Sequence, residues 1–170
     1  MDPSSPNEPS GAPPGEPHPT PGAVCWPAVA RGAGVGLAVL VVVATVRAIL
    51  DRSVEDFDAS GWTLPLFVAL LAGYFLAGWV AQRAAEERGV PDAPYTHGAL
   101  AGLGAFAAWV PLRVAIWLVR DEQRGLVRGP DGALRPGQVF GALVIAAGIG
   151  LLGATLAARR TRAPGSGVEQ

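Results

Sequence analysis

The sequence predicts an all-α fold: an integral membrane bundle of four transmembrane helices behind a proline-rich N-terminal tail. Three observations carry that prediction. Hydrophobic residues make up 50% of the 170 and charged residues only 16%, against about 25% charged in an ordinary soluble domain. The apolar residues gather in four runs, each near the ~20 residues that span ~30 Å of hydrocarbon. The second and fourth of these runs contain no charge at all.

Composition also excludes classes of function. A net charge of −1 offers no electrostatic hold on nucleic acid. The single cysteine, Cys25, rules out an intrachain disulfide and any multi-cysteine metal site. All 13 cationic residues are arginines, beside 23 glycines and 16 prolines. Such usage fits GC-rich codons and points to a bacterial genome.

Residues 1–27 hold nine of the 16 prolines and almost nothing apolar. Such a segment cannot bury enough surface to offset its ordering entropy, so a disordered tail is expected. It lacks the basic and apolar regions of a signal peptide. The transmembrane domain is expected over 28–160, with spans at about 28–50, 62–82, 98–119 and 139–158, and a disordered C-terminal tail over 161–170.

The first span has a short uncharged centre bounded by Arg31 and Arg47. Arginine stems can lie along a helix while their heads reach the interface, which lengthens the usable span. The acidic loop after it, with Asp51, Glu55, Asp56 and Asp58, lacks the ligand spacing of a calcium loop and reads as a solvated interfacial turn. The second span places Ala69, Gly73, Ala77 and Ala81 at every fourth position, on one helix face. Small stripes let backbones approach closely, which is how helices associate where hydrophobicity cannot drive them together.

Arg83–Pro94 reads as a charged linker whose prolines, Pro91 and Pro94, end any helix running on from the second span. The third span then begins at His97 or Gly98. It sets Gly98 and Gly102 on one face, and Pro111 is expected to kink it unless neighbours satisfy the freed carbonyl. A Gly129-Pro130-Asp131-Gly132 turn marks the last connection. The fourth span carries the longest small stripe, through Ala142, Ala146, Gly150, Ala154 and Ala158, and ends on Arg159, Arg160 and Arg162.

Two spans can be laid over two others. Gly32 falls on Gly98, Gly36 on Gly102 and Arg47 on Arg113, and the pattern AGxxLxG occurs at Ala72–Gly78 and again at Ala147–Gly153. This is the trace expected of a helical hairpin copied once in parallel orientation, with Arg47 and Arg113 as equivalent positions about an axis along the membrane normal. GWVAQR closing the second span, then APYTHGAL, an arginine-rich loop and a last span ending in ARR resemble the YrzE-like small bacterial membrane proteins. The resemblance covers roughly residues 28–160, is most specific in the HGAL box, and implies four transmembrane helices without an established activity. It transfers no functional residues.

The chemistry-bearing residues are few. Arg47 and Arg113 are ionisable residues within spans, which are costly and therefore suspect. Either they contact an anion or a lipid phosphate, or they anchor the helices by snorkelling, the simpler account. His97 has no histidine, cysteine or aspartate at ligand spacing and reads as a helix-start residue. No catalytic set, intramembrane carboxylate or phosphate loop stands out, so neither an enzyme nor a cofactor is expected.

The resulting expectation is a multi-pass cell-membrane protein that packs in the lipid bilayer with itself or with another membrane protein. The alternative is a small channel or transporter subunit using Arg47 and Arg113. Arginines divide six against seven between the two sides, which leaves the positive-inside rule undecided. The cluster after the fourth span and the acidic first loop favour both termini in the cytoplasm.

Overall fold

The structure, a computed structural model, describes residues 23–54, 56–57, 59–90, 93–120 and 136–162, apart from the side chains of 117–120, 136 and 162. Most of the proline-rich tail, the Gly129–Gly132 turn and residues 163–170 lie outside them. Four α-helices make up the fold among the described residues: α1 (Trp26–Ser53), α2 (Thr63–Glu86), α3 (Pro94–Arg120) and α4 (Pro136–Arg162). Each contains a segment long and apolar enough to cross a membrane. At 1.5 Å per residue they are roughly 36–42 Å long, so their ends extend beyond the ~30 Å hydrocarbon layer. The chain is an all-α, four-helix membrane protein.

All four helices overrun the spans read from hydropathy, because local capping rather than apolarity sets their ends. Pro27 sits in the first turn of α1, where a missing N–H is harmless. Ala28 and Val29 both donate to the Cys25 carbonyl, at 3.0 and 3.1 Å. Gly89, in the left-handed region at φ 71°, closes α2, and Val90 donates back to the Ala85 carbonyl at 3.0 Å. That is the six-to-one bond of a glycine C-terminal cap. Pro94 therefore starts α3 instead of ending α2, a turn earlier than expected, and His97 donates its N–H to Ala93. Proline's fixed φ suits a first turn, whereas a hydropathy count sees only a linker. Pro111 does not break α3, which stays helical on both sides of an exposed proline.

Helices α1 and α2 form one antiparallel hairpin and α3 and α4 another. They are joined by α1 on α3, α2 on α4 and a diagonal contact of α2 with α3, while α1 and α4 stand apart. The interior is built of small residues. A Cβ on Gly32 would meet Ala77 and Ala81, and one on Gly36 would lie 2.7 Å from the Ala77 methyl and 3.1 Å from that of Ala105. In the second hairpin, Gly98 faces Ala154 and Gly150, and Gly102 faces Ala146. Many large side chains point outward instead: Leu64, Val42 and Phe140 are exposed. Small inside and large outside is the arrangement suited to lipid, where backbone approach, rather than hydrophobic exclusion, holds helices together.

The two hairpins pack alike internally. Gly32 and Gly36 relate to Gly73, Ala77 and Ala81 as Gly98 and Gly102 relate to Ala146, Gly150 and Ala154. The packing thus equates Gly73 with Ala146, not with Gly148, as the AGxxLxG alignment would have it. Gly148 faces open space. Between the hairpins the symmetry fails, because α2 touches α3 but α1 does not touch α4. A two-fold axis along the membrane normal does not describe this arrangement. Away from the glycine contacts the interior is filled by Leu40, Tyr74, Phe106 and Trp109, all buried.

Gly73 offers a graded test of this packing. Its added Cβ would lie 3.1 Å from a Val39 methyl, a neighbour able to rotate. Gly73→Leu is expected to destabilise by about 1–3 kcal/mol, more than Leu71→Ala at the half-exposed neighbouring position. Thermal unfolding in detergent reads the difference, and equal midpoints would show that α1 and α2 do not meet at this stripe.

Candidate functional site

The start of α1, the end of α2, the start of α3 and the end of α4 share one end of the bundle. The described polar contacts between helices are gathered there. His97 and Gln82 are both fully buried. His97 lies one turn into α3, and its Nε2 accepts the backbone N–H of Cys25 at 3.0 Å. That N–H lies just before α1, where a helix has no carbonyl of its own to offer. Nδ1 then carries the ring proton, and it has no acceptor among the described residues. The sequence alone presents His97 as a simple helix-start residue, whereas the fold buries it and bonds it to the start of another helix. The bond to Cys25 joins residues far apart in the chain, so no local pattern announces it.

On α2, Glu86 gathers the rest. Its Oε1 accepts from Gln82 Nε2 at 3.3 Å and shares the Thr161 hydroxyl proton, 3.3 Å away, with the nearer Ala158 carbonyl at 2.9 Å, and its Oε2 lies 3.7 Å from Arg83. Thr161 belongs to α4, so one carboxylate links two helices. Arg31 pairs with Glu87 at 3.3 Å in an exposed position, a pair of small energetic weight. Arg88 reaches back to the Ala84 carbonyl at 2.9 Å, as cations do at helix C-termini. Beside this network the guanidinium of Arg160 lies 5.0 Å from the centre of the Trp79 ring, and that of Arg83 lies 5.7 Å from it.

The intramembrane arginines belong to the opposite end. Arg47 is exposed, with its guanidinium 5.9 Å from the ring of buried Phe57 in the first loop. Arg113 is half-buried on α3 and has no ion pair among the described residues. Ala33 and Gly36 meet Gly104 and Ala105. Carried along parallel helices, that register puts Arg47 about one turn nearer the bundle end than Arg113. No described hydrogen bond or ion pair joins the two.

The remaining residues singled out from the sequence lie within the helix contacts. Gly73, Ala77, Gly98, Gly102, Ala146, Gly150 and Ala154 are buried, and Ala69 is half-buried. No cluster of three or more histidine, cysteine or acidic side chains capable of holding a metal occurs among the described residues. No family model, curated protein or solved structure matches the chain.

Proposed function

We propose that this chain is a non-enzymatic structural or interaction component of a bacterial cell membrane, acting by packing with a second copy or with another membrane protein. The observation that supports this most is the closed interior. Gly78 meets the Gly150 carbonyl, Gly102 meets Ala146, and Gly32 meets Ala77, so the helices seal on backbone contacts. Large side chains such as Phe140, Leu64 and Val144 are left on the outside. The resemblance to YrzE-like proteins belongs to the same reading. It rests on the GWVAQR, HGAL and ARR segments of the sequence. We place both termini in the cytoplasm, and C-terminal reporter fusions active only outside the cytoplasm would reverse that assignment.

A photo-reactive amino acid at Phe140 or Leu64 in native membranes is expected to yield a protein adduct of discrete mass. The second reading is a small channel or transporter subunit that handles an anion or an anionic lipid. It is favoured by Arg113, a half-buried cation without an ion pair among the described residues, two residues after Pro111. Chloride or phosphate flux in proteoliposomes that vanishes in Arg113→Ala, with no protein adduct, would establish that reading in place of the first.

A further inference from the structure

Between α2 and α4, at the polar end, runs an open groove of about 460 Å³ lined by Phe75, Leu76, Trp79, Leu156, Arg159 and Arg160. Its chemistry changes with depth. Phe75 and Leu76 on α2 and Leu156 on α4 form the deeper wall, and the arginines stand in the last turn of α4, at the rim. Trp79 separates the two zones. Its ring lies 5.9 Å from that of Phe75 on one side and 5.0 Å from the Arg160 guanidinium on the other. Indoles settle at headgroup level, with one edge apolar and the other wet.

The charge balance at the rim is uneven. Glu86 is committed to Arg83, Gln82 and Thr161. Arg159 and Arg160 are exposed and have no ion pair among the described residues. An apolar slot below two guanidinium groups that have no carboxylate partner among the described residues is complementary to an amphiphile with an anionic head.

We propose that this groove binds an anionic phospholipid, with its phosphate at Arg159 and Arg160 and an acyl chain along Phe75, Leu76 and Leu156. Guanidinium groups match phosphate oxygens in a bidentate geometry. Basic pockets between transmembrane helices at the membrane surface select anionic headgroups. A zwitterionic lipid has the same acyl chains, but its own cation opposes those at the rim. The site is separate from Arg47 and Arg113, which lie at the other end of the bundle.

Native mass spectrometry of the full chain, released from micelles containing equal phosphatidylglycerol and phosphatidylcholine, tests this directly. The wild-type chain is expected to retain phosphatidylglycerol preferentially. R159Q/R160Q should lower that retention by roughly tenfold or more, on the scale of two interfacial arginines. Leu156→Trp keeps both cations and fills the slot from an exposed position, and it should lower retention as well. Arg52→Gln, which removes an exposed cation at the other end of the bundle, should leave it unchanged. Equal retention of the two lipids, or wild-type retention in R159Q/R160Q, would overturn the site. Loss in R159Q/R160Q without loss in Leu156→Trp would also overturn it, reducing it to surface charge. A dimer mass that disappears in Leu156→Trp while lipid retention stays unchanged would assign the groove to a second copy instead.

Discussion

Gly78→Ala is expected to destabilise the bundle by about 3 kcal/mol or more, a cost at the upper end for inserting a methyl into a packed interior. The Cβ would enter the space of the Gly150 carbonyl carbon and oxygen. These are backbone atoms of α4 and cannot rotate away, so α2 and α4 must separate. Gly150→Leu should do comparable damage, because its Cβ would lie 2.5 Å from the Gly98 carbonyl oxygen and 3.1 Å from the Gly102 Cα. Gly150 is thus held by α2 on one side and α3 on the other, across the join between the hairpins. Gly148 is the internal control, with nothing near its added Cβ. Gly148→Ala should stabilise by up to about 1 kcal/mol, through backbone entropy alone. Leu152→Ala, at an exposed position, should cost little. Unfolding in mixed micelles orders the four variants, and a Gly78→Ala chain as stable as Gly148→Ala would contradict the α2–α4 contact.

His97→Ala is expected to cost about 1–3 kcal/mol, because it leaves a part-buried donor without its acceptor and a fully buried ring position empty. The stranded donor is the Cys25 N–H, 3.0 Å from Nε2 in the intact protein. Losing that bond unties the start of α1 from α3. The Cys25 amide should therefore exchange faster in His97→Ala than in the parent chain, a change that a general loss of packing would spread over all four helices. Tyr95→Ala, two residues earlier and 64% exposed, should leave both stability and exchange unaltered. A lower midpoint with Cys25 exchange unchanged from the parent chain would reduce His97 to a space-filling residue.

The four spans, and hence the all-α membrane fold, were determined by the sequence alone. Apolar runs of that length have only helical solutions in a lipid that offers no hydrogen bonds to free backbone groups. The small stripes were legible for the same reason, since a four-residue period is a property of one helix. What each stripe packs against was not legible. Glycine and alanine carry no chemical label that distinguishes one partner from another, and only the packed bundle set Gly73 and Ala77 on α1 but Ala146 and Gly150 on α3. The repeat shows the same limit: AGxxLxG aligned Gly73 with Gly148, whereas the contacts equate Gly73 with Ala146. The polar end was the least readable. The His97–Cys25 bond, the Glu86–Thr161 link and the stacking of Arg160 on Trp79 each join residues distant in sequence. Such contacts arise when helix ends are brought to one level, and that alignment is a consequence of packing, which no single segment encodes.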